Sequence, residues 1–200
     1  MIKSDFVIWG SEAVKNACVL YSLDGVEDTF ELSDGVSRAA NFGDNATYTM
    51  DPNFPNDTIL VDNLFNTDFR IVGSLRLKEF LESRHLPNVE YLRVTILNHK
   101  SKTASKDYYI VHPIEPAECL DAEKSGVRWS RIDKTRIDKV ARLVIDEEKI
   151  DPDRVLFRPK SFHRVILTRR NLAESITAAG FTGIKWIELK DYPRPQEEEE

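Results

Sequence analysis

Apolar residues in this chain come in short runs separated by polar turns, the spacing expected of strands and brief helices. "DFVIWG" (5–10) is a strand-like run closed by Gly10. "TILVDNLF" (58–65) is a second, "DYYIVHPI" (107–114) a third, and "VARLVIDEEKI" (140–150) holds a fourth. "DYYIVHPI" is β-branched and aromatic, and it ends where Pro113 removes a ladder donor. "RVLFRPKSFHRVIL" (154–167) reads as two strands around a turn at residues 159–161. "KSKTASK" (100–106) is a polar connection, read as a hairpin loop joining "DYYIVHPI" to the strand before it. Residues 22–57 are rich in Asp, Asn, Gly, Ser and Pro, with "DPNFPND" at 51–57, and read as loop and turn. The fold class is therefore α+β: short mixed or antiparallel strands with a few short helices.

One pattern occurs twice. In "RVILTRRNLAESITAAGFTGIKWIEL" (164–189) an apolar run ends at Thr168, a candidate N-cap. Leu172, Ile176 and Ala179 follow at helical spacing. Gly180 then stands where a left-handed residue stops a helix, which would bring Phe181 against Ile176. Gly183 offers a second left-handed position before "IKWI" restarts as strand. In "RIVGSLRLKEFLESRHLPNVEYLRVTI" (70–96) the same sentence uses Ser74 as cap, Leu77 and Leu81 as stripe, and Leu86 in the place of Phe181. His85 and Asn88 stand where Gly180 and Gly183 do, and both types tolerate left-handed backbone better than most. The chain thus contains two similar strand–helix–strand units, near 69–96 and 163–189. Ser74 and Thr168 are explained as caps, not nucleophiles. Arg169 and Arg170 fall in a first helical turn, where the helix dipole disfavours cations, and read as surface arginines.

Charge divides the chain. Residues 1–68 carry 12 acidic and 3 basic residues, whereas the whole 200-residue chain has a net charge of only −6. Such an asymmetry marks either a partner surface or an acidic part that packs on the basic remainder. The expected organisation is a single α+β domain over 1–196. It comprises an acidic, loop-rich region (1–57) and a frame (58–190) carrying the two units, with Glu197–Glu200 as a disordered acidic tail. Cys18 and Cys119 fit no paired or metal-ligand spacing and read as reduced thiols. No signal peptide and no membrane-spanning run is expected, which points to the cytoplasm.

Signatures of chemistry are missing. There is no nucleophile elbow, phosphate-binding glycine loop, zinc-protease helix or cysteine-pair metal motif, so no catalytic residue, cofactor or metal site is assigned. The histidines, His85, His99, His112 and His163, are scattered, and His112 reads as structural. Asp51, Asn53 and Asp57 lack the spacing and closing Glu of a calcium loop. "RWSRIDKTRIDK" (128–139) interleaves Trp129 with Arg128, Arg131, Lys134, Arg136 and Lys139, but Asp133 and Asp138 interrupt it and the chain is acidic. Nucleic acid is therefore not the expected partner.

The second half carries a further ordered set: Tyr108–Tyr109, Leu120–Asp121 with Ser125, Val144 with Asp146, Phe157–Arg158, and Gly180 to Gly183 followed by Trp186. In order and spacing this resembles a bacterial family of immunity proteins from polymorphic toxin systems, the one numbered eleven and once catalogued as a domain of unknown function. The resemblance covers about residues 60–189, and the acidic first third does not align with it. His112 stands where many members carry Asn. The resemblance implies a non-enzymatic cytosolic protein that neutralises a cognate toxin by binding it. On that reading Asp24, Glu27, Asp28, Glu31, Asp34, Asp44, Asp51 and Asp57 are the candidate partner-binding residues, steering a basic toxin face. The alternatives are an enzyme of unrecognised type, with a pocket between the two repeated units, and an intracellular adaptor module.

Overall fold

The structure, a computed structural model, describes residues 4–193. The acidic tail expected at 197–200 lies outside them. Twelve strands and four α-helices follow one another as β1 (Phe6–Ser11), β2 (Val19–Asp24), α1 (Thr29–Asp34), β3 (Thr47–Met50), β4 (Asn63–Asn66), β5 (Ile71–Ser74), α2 (Leu75–Glu82), β6 (Val89–Leu97), β7 (Thr103–Pro113), α3 (Ala122–Ser125), β8 (Val127–Trp129), β9 (Ile137–Val140), β10 (Leu156–Phe157), β11 (Leu167–Arg169), α4 (Arg170–Ala178) and β12 (Ile184–Glu188). The class is α+β, as the patterning predicts.

Six strands close into a barrel in the order β2-β3-β6-β7-β5-β4, around a core that includes Leu20, Tyr48, Met50, Leu64, Val94, Ile96 and Ile110. Four more form an open sheet, β10-β11-β1-β12, and β8 pairs with β9 as a separate hairpin. Residue 57 is therefore no boundary. The loop-rich first third supplies β1, the inner neighbour of β12 and β11, and two barrel strands, β2 and β3. The connection between β6 and β7 is shorter than its composition suggests, turning at Ser101 while β7 begins at Thr103. Most of the 140–150 run is not strand. Leu143 and Ile150 are buried from irregular backbone, and Ile145 makes a single bridge to Leu120.

The two repeated units share a topology. β5 and β6 both pair antiparallel with β7, so they run parallel to each other with one strand between them. β11 and β12 both pair antiparallel with β1 in the same way. Each unit is a split strand–helix–strand crossover. The helices bury matching residues, Leu77 and Leu81 against Leu172 and Ile176, in one cluster completed by Trp9, Ile71, Val111 and Ile166. Phe80 meets Phe181 edge-on at 5.1 Å, and the Arg76 guanidinium lies 4.2 Å from the Phe181 ring centre. Each fully buried aliphatic side chain of this kind stabilises by roughly 1.5–3 kcal/mol.

The left-handed positions fall where the pattern puts them: His85 (φ 51°), Asn88 (φ 56°), Gly180 (φ 68°) and Gly183 (φ 79°). Ser74 is a cap, its hydroxyl accepting from the Leu77 N–H at 3.2 Å. Thr168 is not. Strand pairing with β1 and β10 extends through it, so α4 starts at Arg170. The Thr168 hydroxyl is fully buried without a partner among the described residues. The Arg170 N–H donates to the Asp5 carbonyl at 2.8 Å, which serves the helix start instead. Arg170 is no loose surface residue either. Its guanidinium donates to both Glu188 carboxylate oxygens, at 2.9 and 2.8 Å, and to the Ser4 carbonyl at 2.8 Å. The Glu188 charge offsets the unfavourable dipole. Arg169 donates to the Pro152 carbonyl at 3.1 Å and lies over the Phe6 ring.

Barrel and sheet are stitched by two residues at the start of β4. Asn63 is buried. Its side chain accepts from the Trp9 indole at 3.3 Å and donates to the Gly183 carbonyl at 2.9 Å, while its N–H donates to the Thr182 carbonyl at 3.1 Å. The Asp62 carboxylate accepts from the Ser74 hydroxyl at 2.8 Å, from the Thr182 N–H and hydroxyl at 2.9 Å each, and from Arg76 at 3.1 Å. Burial raises the Asp62 carboxyl, but the Thr182, Ser74 and Arg76 contacts outweigh it and hold the group below the usual carboxylate range.

A Cβ on Gly183 would overlap the Asn63 carbonyl oxygen, whereas one on Gly180 would meet open space. Both positions are left-handed, so only the first suffers a clash as well as strain. In urea unfolding, Gly183→Ala is expected to lose about 3 kcal/mol or more and Gly180→Ala about 1 kcal/mol; equal losses would rule out close approach as the reason for Gly183. Asp62→Asn is expected to cost about 1–3 kcal/mol at neutral pH. Because the folded carboxyl titrates below its unfolded value, that stabilisation is complete above the unfolded value of roughly 4 and fades as pH falls through the folded one. Parent and variant should therefore converge below about pH 4, and a gap that stays constant down to pH 2.5 would contradict the assignment.

Candidate partner-binding surface

The eight candidate carboxylates do not form one cluster. β2 and β3 are antiparallel, with Asp24 opposite Thr47 and Leu20 opposite Met50. Asp24, and with it the turn bearing Glu27 and Asp28, therefore lies at the Thr47 end of β3, as does Asp44. Asp51 and Asp57 follow the Met50 end, at least ~10 Å away along the strand. Asp51 is engaged in its own turn, accepting from the Asn53 N–H at 2.8 Å. The structure thus brings six of the eight to the α1 side of the barrel and leaves two at its other end.

α1 is short, and its position is imposed by other parts of the chain. Arg70 donates to the Thr29 carbonyl at 3.1 Å, while its other nitrogen pairs with Asp68 at 2.6 Å and the Tyr48 hydroxyl at 3.1 Å. Glu31 forms an ion pair with Arg38. Asp34 pairs with Arg136 at 2.5 Å. Gly35 ends the helix at φ 69°, and a Cβ there would crowd Pro116 and the Pro113 carbonyl. His112, buried and with its pKa lowered chiefly by burial, bonds the Val36 carbonyl through Nε2 at 2.8 Å. A carbonyl only accepts, so Nε2 carries the proton. His112 is structural, as its sequence context suggests.

These contacts leave Phe30 projecting outward, 69% exposed, on a helix whose Leu32 is buried. The hairpin loop between β8 and β9 docks beside it. Arg136 from that loop pairs with Asp34, also with Asp133 at 3.3 Å, and stands 5.6 Å from the Phe30 ring centre. At the tip of the same loop Ile132 is wholly exposed. Between α1 and the loop opens a polar cleft of about 450 Å³, lined in part by Ser33, Asp34, Glu118, Asp133, Arg136 and His163. Glu27, Asp28, Asp24 and Asp44 are exposed and have no ion pair among the described residues. Glu31 and Asp34 are partly neutralised by their arginines, so the asymmetry of charge is both an internal match and a free acidic rim.

Two exposed apolar residues, Phe30 and Ile132, escape a reading based on charge alone. Phe30 is the one aromatic residue in the acidic stretch "GVEDTFELSD". Ile132 lies inside the basic run 128–139, where Arg128 pairs with Asp138 at 3.4 Å and Arg136 with two aspartates. That run is an acid-compensated hairpin, not a stripe of free cations. Cys18 and Cys119 are free and buried, their thiols pushed up to about 12 and about 11, mainly by burial. Among the described residues no three His, Cys, Asp or Glu side chains are grouped to hold a metal, and no helix is long and apolar enough to cross a membrane.

Residues 36–191 match the immunity protein family (Imm11), and the chain belongs to that family. The matched stretch begins about two dozen residues earlier than the sequence resemblance suggests, and so takes in β3 and the loop before it. α1 precedes it. No curated protein matches the chain in sequence.

If Phe30 and Ile132 are presented and not packed, removing them should leave the fold intact. Phe30→Ala and Ile132→Ser are each expected to stay within about 0.5 kcal/mol of the parent in urea unfolding, while Leu32→Ala, on the buried side of the same helix, should lose about 2–5 kcal/mol. A large loss in either exposed variant would place that residue in the core.

Proposed function

We propose that this protein neutralises a cognate bacterial toxin by binding it directly, without catalysis, in the cytoplasm, and that α1 with the β8–β9 loop is the binding face. The observation that carries this reading is the pairing of exposed Phe30 and Ile132 with unpaired acidic side chains, on a face fixed in place by Arg70, Arg136 and His112. Family membership supports the immunity role. Apolar anchors surrounded by a charged rim are the common anatomy of specific interfaces. A standard interface of roughly 1,600 Å² in total would extend from this face onto the barrel end that carries Asp24 and Asp44. The acidic rim would steer a basic toxin surface, which raises the association rate more than the affinity. Pre-ordering of α1 by its arginine contacts lowers the entropic cost of binding. Asp51 and Asp57, at the other barrel end, are peripheral on this reading.

The test uses the purified chain and the toxin domain encoded beside its gene, followed by surface binding kinetics. The association rate is expected to fall steeply with salt. Joint reversal of Asp24, Glu27 and Asp28 to Lys should slow association about tenfold with little change in dissociation. Glu31 is left out because its loss would strand Arg38. Phe30→Ala should act on the other rate, speeding dissociation about tenfold or more. Binding that ignores both the reversals and Phe30→Ala would exclude this face. A chain that fails to protect cells expressing the toxin would exclude the immunity role itself.

A further inference from the structure

A second cleft, of about 480 Å³, opens between the barrel and the sheet, next to the support of α1, with which it shares Arg70. Its floor is β1 and its rim is the β4–β5 turn. That volume lies within the range of small-molecule sites, roughly 300–1,000 Å³. The walls combine apolar and aromatic side chains, among them Trp9, Phe65, Phe69 and Tyr192, with two arginines, Arg70 and Arg164. No Asp or Glu lines it. In a chain with a net charge of −6 and a strongly acidic first third, that is a pronounced local reversal.

The positive charge here is poorly neutralised. Arg164 makes no hydrogen bond or ion pair with the described residues; its guanidinium stands 5.5 Å from the Phe69 ring centre. Arg158 is buried and donates only to carbonyls, those of Phe69 at 2.7 Å and of His163. No carboxylate faces it. Arg70 is paired with Asp68, but its remaining partners, Tyr48 and Thr29, are neutral. His163, next to Arg164 in the chain, has its pKa pushed down to about 4 by burial first and then by Arg158, Arg136 and Arg164, against an opposing contribution from Asp34. The rim is shaped as well as charged. Phe69 holds a left-handed backbone (φ 55°), fixed by Arg158 on its carbonyl and by Asn66, whose side chain accepts from the N–H groups of Asp68 and Arg70 at 3.2 Å each. Phe65 and Phe69 are half-exposed at the mouth, where a flat ring could stack on them.

We infer that the cleft between β1 and the β4–β5 turn binds a small molecule carrying a flat ring and one anionic group, a phosphate or a carboxylate, with the ring against Phe65 and Phe69 and the anion on Arg164. An arginine offers a planar fork that suits either oxyanion. The toxin-binding face described above does not use this cleft, and the site stands whether or not that reading holds.

The experiment uses the intact chain and two matched probe pairs, adenosine 5′-monophosphate with adenosine, and 2-naphthoate with 2-naphthol. Calorimetry measures affinity, and the indole N–H resonances of Trp9 and Trp129 report location. At least one anionic probe is expected to bind saturably with Kd below about 1 mM, about tenfold or more tighter than its neutral partner, shifting Trp9 and not Trp129. Arg164→Gln, checked for an unchanged urea midpoint, should weaken it about tenfold, and Arg164→Lys should weaken it less. The phosphate and carboxylate pairs distinguish the two anion types. Absence of saturable binding by both anionic probes, equal affinity for the neutral partners, or indifference to Arg164→Gln would each overturn the inference.

Discussion

Everything in this fold depends on what happens at Asp62 and Asn63. A six-stranded barrel and a four-stranded sheet have separate hydrogen-bond ladders, and nothing in either ladder requires the other. At the head of β4 two polar side chains, one buried and one mostly so, cross between them. Asn63 takes up the Trp9 indole from β1 and the turn carbonyl of Gly183, and Asp62 takes up Thr182, the Ser74 cap and Arg76 together. A buried polar group must find its partners or cost a few kcal/mol. Here the partners come from the barrel, the sheet and both repeated units at once. The apolar cluster beside the junction, with Trp9, Leu77, Leu81, Leu172 and Ile176, supplies most of the energy. The polar stitch supplies the register, because shifting either unit would leave Asn63 and Asp62 unsatisfied.

That arrangement frees other surfaces for function. Each unit turns one apolar stripe of its helix into a shared cluster, α2 through Leu77 and Leu81 and α4 through Leu172 and Ile176. α1 has no such partner helix; it is pinned at its edges by Arg70, Arg136 and the Val36–His112 bond, and shows Phe30 to solvent. The same join leaves a gap where β1 runs past the β4–β5 turn, lined by Arg70 and Arg164 and by no carboxylate. One face is apolar with an acidic rim, the other a basic cleft, and they are separate consequences of how barrel and sheet meet.

Local features were legible in the sequence because local chemistry decides them. The Ser74 cap, the helical stripes and the four left-handed residues His85, Asn88, Gly180 and Gly183 all fall where residue type and spacing put them. Thr168 shows the limit. It has the right chemistry for a cap, but pairing with Val7 and Leu156 keeps it in the strand and moves the N-cap and helix start on by one residue. The barrel was not legible. β3 is four residues long, and closure depends on β2 pairing with β4 and β3 with β6, contacts between distant segments that no local pattern encodes. For the same reason residues 22–57 read as loop and turn, although they hold the end of β2, α1 and β3. Of the proposed interface, charge in the sequence pointed to the segment that forms α1. It could not show that Asp51 and Asp57 lie elsewhere, or that Phe30 and a loop from residue 132 would meet beside Arg136.

Barrel and sheet should open as one unit because of the junction between them. Native-state amide hydrogen exchange, residue by residue, tests it most directly. The junction amides of Asn63 and Ser74, and the strand amides of β1 and β7, are expected to exchange with the same opening free energy, equal to that of global unfolding. Early exchange at Asn63 and Ser74, with β1 and β7 opening at two different free energies, would show two independent units and contradict the claim.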